Sequence, residues 1–215
     1  MILITGATSQ VGELLVDKLV SKGYRVRCLV RESSKIDNIN LPGVEFAYGD
    51  LINDVSLENA LKDVEYIVHI AGIWRVNSLL KVCRSIETLK KVIFVGSTSI
   101  YKKADSIDKW EKDIAQKLMI GEDAIRKSGV NYVILRPTMI YGINKDKNIL
   151  QIINFMNKYR CYPVIGSGQA LKQPIYAGDI ADAILLVLSD ERIINKEYII
   201  GGKSPIKYKN MLKLI

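Results

Sequence analysis

The chain is poor in the residues that staple or ligate. Its 215 positions hold one histidine and three cysteines, and Cys28, Cys83 and Cys161 stand too far apart for a Cys-x-x-Cys motif. An odd, scattered set argues against a disulfide framework, and a lone His69 cannot build a multi-histidine metal site. No metal and a reducing, cytoplasmic setting are therefore expected, with Cys28 and Cys83 as core thiols. Five prolines and fifteen glycines are too few for collagen-like or low-complexity sequence. No apolar run approaches the roughly 18 residues that span a bilayer. The stretch Met1 to Ile4 is short and lacks the flanks of a signal peptide, so no membrane partner is expected.

What is present is ordinary globular composition, 48% hydrophobic and 25% charged, enough for one large core. Lys+Arg 31 against Asp+Glu 23 leaves a formal charge of +8, which suits an anionic ligand or nucleic acid. The pairs Lys90-Lys91 and Lys102-Lys103 read as solvated faces, and Lys158-Tyr159-Arg160 lacks the aromatics of a stacking platform. No nucleic-acid partner is expected from charge alone.

Runs rich in Val and Ile recur at Ile2 to Ile4, Arg25 to Val30, Val44 to Phe46, Tyr66 to Ile70, Val92 to Val95 and Tyr132 to Leu135. Continuous rather than alternating hydrophobicity predicts strands buried on both faces of a parallel sheet. Helical spacing fills the gaps: Val11 to Leu19 before Gly23, a helix capped by Asp54, Val76 to Leu89, and Ile114 to Ile125. The alternation predicts an α/β fold, a Rossmann-type doubly wound parallel sheet over residues 1–140. Beyond it come helices at Ile149 to Tyr159, Ile180 to Leu188 and Tyr208 to Ile215, with strands near Ile175 and at Tyr198 to Ile200. Residues 141–215 are expected to form a small, reduced substrate-binding region interleaved with the core.

The sharpest feature is Thr5-Gly6-Ala7-Thr8-Ser9-Gln10-Val11-Gly12, a strand end, a tight turn and a helix start. Gly6 permits the turn, the N–H groups of the helix start point at a pyrophosphate, and Gly12 lets helix and sheet pack closely. Ser9 stands where a middle glycine is common; its hydroxyl can donate to phosphate. The second strand ends at Arg31, followed by Glu32, near the position that reads the adenosine ribose. A guanidinium there pairs with a 2′-phosphate, favouring NADP(H), while Glu32 keeps NAD(H) open.

Further motifs recur in order: Gly49-Asp50-Leu51, His69-Ile70-Ala71-Gly72, Gly96-Ser97-Thr98-Ser99-Ile100-Tyr101, Leu135-Arg136-Pro137-Thr138, Gln173-Pro174-Ile175-Tyr176 and Tyr198-Ile199-Ile200-Gly201-Gly202. With the glycine loop, they make the chain resemble the extended and atypical short-chain dehydrogenases/reductases, in the NAD-dependent epimerase/dehydratase branch. The resemblance implies that Asp50 and Leu51 contact adenine, and that Ile70, Ala71 and Gly72 wall the ribose and pyrophosphate. It also implies that Pro137 and Thr138 hold the nicotinamide, and that Ser97 binds the reacting substrate oxygen. It implies a nucleotide-sugar substrate, with Asn148, Arg160 and Gln173 near it, and a homodimer through the helices after strands four and five.

The family pairs a tyrosine with a lysine four residues on, one helical turn apart. Here Lys117 fits the lysine, as ribose ligand and catalytic partner of Ser97, but the tyrosine position holds Asp113. Tyr101, Tyr141 or Tyr176 could approach from other elements, though each also reads as packing. Two functions follow: an enzyme moving hydride at a sugar or related carbinol carbon, or a non-catalytic NAD(P)-binding sensor or regulator.

Overall fold

The computed structural model of the chain describes residues 1–102, 106–143, 145–146, 148–164 and 166–215, so Lys103 of the second lysine pair lies outside the described residues. Eleven strands follow in order: β1 (Ile2–Thr5), β2 (Val26–Val30), β3 (Val44–Tyr48), β4 (Tyr66–His69), β5 (Lys91–Val95), β6 (Tyr132–Pro137), β7 (Met139–Tyr141), β8 (Leu171–Lys172), β9 (Pro174–Tyr176), β10 (Lys196–Ile200) and β11 (Ile206–Lys207). Seven of them form one parallel sheet in the order β10-β6-β5-β4-β1-β2-β3. The chain winds outward from β1 to β3, then crosses back to β4 on the other side of β1. That reversal is the switch point of a doubly wound sheet, where the strand ends open a crevice.

Helices α1 (Gln10–Ser21), α2 (Asp54–Ala60), α3 (Val76–Cys83), α4 (Ser99–Lys102), α5 (Lys109–Arg126), α6 (Ile149–Tyr159), α7 (Ala177–Ser189) and α8 (Tyr208–Leu214) complete the chain. One core layer joins α1 and α7 to one sheet face, and a second joins α2, α3 and α5 to the other. Central strands bury nearly every side chain, as their unbroken apolar runs require, whereas edge strands β3 and β10 leave most of theirs exposed or half-buried. The seventh strand and α7 come from residues beyond 141, so the later part of the chain helps to build the main sheet layer.

Several helix ends differ from expectation for local reasons. Asn53, rather than Asp54, caps α2, its side chain accepting from the Ser56 N–H at 3.0 Å; Asp54 instead pairs with Lys81 of α3. The α3 helix stops at Cys83, not Leu89. The α5 helix starts early because Asp108 accepts from the N–H groups of Trp110 and Glu111. Buried Cys28 and Cys83 have thiols pushed up to about 12 by burial, consistent with inert core groups.

Lys91 corrects the solvated-face reading of its pair. It is 1% exposed in β5, and its ammonium donates to the carbonyls of Val187 at 2.5 Å and Asp190 at 2.7 Å. A cation thus closes the C-terminal end of α7, where unpaired carbonyls gather negative partial charge. Lys91→Met should lower stability by about 2 kcal/mol, the loss of two charge-assisted bonds set against relief of a buried charge. Urea denaturation checks it, and Lys90→Met, which removes exposed pairs to Glu65 and Glu191 and a cation–π contact with the Tyr66 ring, should shift the midpoint less.

Candidate functional site

The switch point is held by its own strands. Thr5 and His69 are register partners across β1 and β4, and Thr5 Oγ1 lies 2.8 Å from His69 Nδ1. Burial pushes His69 down to about 4, against a smaller upward pull from the Gly72 backbone, so the imidazole is neutral at ordinary pH. The only histidine therefore serves the sheet. Among the described residues no group of three or more His, Cys, Asp or Glu could hold a metal ion.

The glycine turn follows directly. Gly6 has φ +74°, and a side chain there would meet the Ala71 nitrogen at 2.7 Å. A Cβ on Gly12 would lie 2.5 Å from the carbonyl oxygens of both Ala7 and Gly6. Ser9 caps α1 by accepting from the Gly12 N–H at 3.1 Å, which leaves its hydroxyl hydrogen free to donate. The N–H groups of Gln10 and Val11 open the helix, where backbone donors lack intrahelical acceptors. Gln10 Oε1 is buried with no partner among the described residues.

A cavity of about 250 Å³ occupies the crevice. Of the residues anticipated from sequence, it gathers Gly6, Thr8, Arg31, Asp50, Leu51, Ala71 and Gly72; Glu32 is outside it. The Arg31 N–H donates to Ser34 Oγ at 3.1 Å, and its guanidinium has no ion pair among the described residues. Asp50 accepts from the Ile52 N–H at 3.3 Å while still facing the cavity. Ser34 and Arg75 were not foreseen: both line it, Arg75 from the opposite wall at the end of the 3-10 turn Ile73–Arg75. The glycine cradle, the helix-start donors and a guanidinium with no ion pair among the described residues fit a dinucleotide phosphate ligand. Ile70 packs against the core beside it, and Val11 is buried within it.

Ser97 follows β5 at the same edge of the sheet, its hydroxyl oxygen accepting from the Ser99 N–H at 3.1 Å. Neither Ser97 nor Lys117 lines the first cavity. Lys117 donates to Asp113 at 2.6 Å across one turn of α5, and both side chains are about half exposed, 52% and 51%. Where the resemblance implies a phenol beside an ammonium, the chain has a closed ion pair. The Pro137 carbonyl accepts from both the N–H and hydroxyl of Thr98, and Thr138 donates its hydroxyl to the Gln173 carbonyl at 2.5 Å. Tyr141 and Tyr176 face each other on paired strands with ring centroids 5.8 Å apart. The Tyr101 ring lies 5.6 Å from the Arg136 guanidinium.

Arg136 is the centre of a buried charge cluster. It donates to Glu122 at 2.8 and 2.6 Å and to Glu197 at 2.5 Å; Arg126 pairs with the same two carboxylates. Paired guanidinium groups hold the Glu197 carboxyl down to about 2, Arg126 contributing most. The cluster lies beside the residue before Ser97: a side chain on Gly96 would meet Glu122 Oε1 at 3.3 Å, Ile134 at 3.6 Å and Arg136 Cγ at 3.7 Å.

A second cleft, about 500 Å³, lies between β7, α6 and α8, lined by Met139, Asn148, Gln151, Phe155, Lys172 and Tyr208 among others. Burial, and then the neighbouring Tyr162 hydroxyl, push Tyr208 up to about 12. Of three suggested substrate contacts only Asn148 is here. Gln173 is spent on structure, donating to the Gly202 carbonyl at 2.6 Å. Arg160 ends α6 in a left-handed conformation (φ 58°) outside the cleft. Among the described residues no helix is long and apolar enough to cross a membrane.

Comparison with known proteins agrees with this fold. A Methanocaldococcus jannaschii protein provisionally named UDP-glucose 4-epimerase is 28% identical, over 88% of this chain and 73% of its own length. The chloroplast stem-loop binding protein of 41 kDa b of Arabidopsis thaliana is 24% identical over 99% of this chain, which spans 61% of that relative. The UDP-glucuronic acid 4-epimerase of Bacillus cereus, solved with UDP-glucuronic acid and NAD, has the same fold: TM-score 0.80, 20% identity, 99% of this chain and 82% of that one. The NAD dependent epimerase/dehydratase family model matches residues 2–201. The chain belongs to the NAD-dependent epimerase/dehydratase family, whose members are NAD(P)-dependent.

Proposed function

We propose that the chain binds NADP(H) at the switch point and serves hydride transfer at a carbinol carbon of a nucleotide sugar or related substrate held towards the second cleft. The observation that carries this reading is Arg31, which lines the first cavity together with Ser34 and whose guanidinium has no ion pair among the described residues, while Glu32 stays outside. Two N–H donors in a fixed fork match a 2′-phosphate. When bound, the cofactor supplies the hydride donor or acceptor. The chain supplies the rest: the Gly6 to Gly12 turn takes the pyrophosphate, Asp50 and Leu51 the adenine, and Ala71 and Gly72 the wall between them. Ser97 orients the substrate oxygen, and Pro137, Thr138 and Lys117 border the nicotinamide end. Dimer formation through α3 and α5 belongs to the same reading, and Met119 and Ile120 stand exposed on α5.

Fluorescence titration with NADPH and NADH tests the cofactor. Arg31→Ala should weaken NADPH about 10- to 100-fold, the worth of one charge-assisted pair, and leave NADH within about 3-fold. Failure of both dinucleotides to bind the unaltered chain at micromolar levels would sink the reading. The closed Asp113–Lys117 pair favours a second reading, a sensor that binds cofactor without turnover. Incubation with a panel of nucleotide sugars separates the two, provided product isomers are assayed as well as nicotinamide absorbance, because a redox-neutral epimerisation leaves no net absorbance change. Tight binding with no product across the panel supports the sensor.

A further inference from the structure

Glu13 is an unexpected neighbour for a phosphate site. It sits in the first turn of α1, with a side chain only 8% exposed. A carboxylate there satisfies the positive end of the helix and competes with an incoming pyrophosphate for it. Two groups hold it. Asn38, in the 3-10 turn Asp37–Ile39, donates to both carboxylate oxygens at 3.3 Å but carries no charge. Lys145 pairs with Glu13 and also donates to the Thr8 carbonyl, 3.4 Å away, inside the glycine turn. The next residue, Asp146, is 8% exposed and accepts from the N–H groups of Asn148 and Leu150, fixing the start of α6. Adjacent residues thus grip the phosphate-binding turn and the helix that lines the second cleft.

We propose that Lys145 is a positioning residue of the dinucleotide site: it cancels the buried Glu13 charge beneath the pyrophosphate and ties the start of α6 to the glycine turn. The inference rests on the cofactor reading above. Without Lys145 the pyrophosphate meets an uncompensated negative charge in a poorly solvated place. With both charges removed, the obstacle disappears together with its remedy.

The test is NADPH titration of the full chain as Glu13→Gln, Lys145→Met, Lys145→Arg and the double variant E13Q/K145M. Lys145→Met should weaken NADPH about 10-fold or more; Glu13→Gln and Lys145→Arg should stay within about 3-fold, and the double variant should return to that range. Hydrogen exchange adds a readout that simple destabilisation would not mimic: NADPH should slow exchange in residues 149–159 of the unaltered chain but not in Lys145→Met. A Lys145→Met affinity within about 2-fold of the unaltered chain, or a double variant as weak as Lys145→Met, overturns the proposal. If the unaltered chain binds no dinucleotide, the cofactor reading fails separately. Urea midpoints of the four cofactor-free proteins, Glu13→Gln, Lys145→Met, the double variant and the unaltered chain, then decide the pin, additive shifts overturning it and non-additive shifts sustaining it.

Discussion

Gly12→Ala should cost about 3 kcal/mol of stability, the upper end of overpacking, and at least about 10-fold in dinucleotide affinity. The added carbon would lie 2.5 Å from two backbone carbonyl oxygens, those of Gly6 and Ala7, and neither can move aside as a flexible side chain would. Relief requires α1 to back away from the turn. That shift would pull the Gly12 N–H from the Ser9 cap and re-aim the Gln10 and Val11 donors. Stability and binding therefore fall together, for one geometric reason. Gly23→Ala is the control: its φ of +77° imposes left-handed strain of about 1 kcal/mol, yet nothing lies within 4 Å of the added carbon. It should lower the urea midpoint modestly and leave NADPH affinity unchanged. Unchanged stability in Gly12→Ala would mean that α1 does not pack on the turn as described.

The main sheet was readable because burial on both faces writes itself as unbroken Val and Ile runs. The same rule misleads at the edges. The Val44 to Phe46 run belongs to a strand whose partners cover only one side, so its side chains are half-buried or exposed. Charge was harder to place. Lys91 looks like any surface lysine in sequence, and only the fold shows α7 ending above it. The same limit hides Lys145, whose partners Thr8 and Glu13 lie 137 and 132 residues away along the chain.

The site was legible where it is local and obscure where it is assembled. Thr5 to Gly12 is one continuous strand end, turn and helix start, and Asp50, Ala71 and Gly72 follow strand ends that register brings level with it. Arg75 follows Gly72 by three residues but carries no periodic signature, since it closes a short 3-10 turn. At Lys117 the spacing correctly put two side chains on one face of α5. Their chemistry differed: an aspartate four residues before a lysine completes an ion pair by itself, where a tyrosine would leave the ammonium free for other partners.

Arg136→Met should destabilise the chain by about 3 kcal/mol, because it leaves Glu122, with a side chain 0% exposed, dependent on Arg126 alone. The paired change E122L/R136M, which replaces the two most buried charges of the cluster by apolar groups, should recover much of that loss. The cluster also sets an acid limit. The Glu197 carboxyl is depressed from 4.5 to about 2, so its contribution is fully present above about pH 4.5 and is lost as pH falls towards 2. Urea midpoints between pH 6 and pH 2.5 should therefore fall more steeply for the unaltered chain than for Glu197→Gln. Parallel curves would show that Glu197 is not held by the two guanidinium groups. Gly96, one residue before Ser97, lies close to Glu122 and Arg136. If Ser97 orients substrate, Arg136→Met should lower turnover at temperatures where the chain is still folded, while NADPH affinity, set across the switch point, stays within about 2-fold.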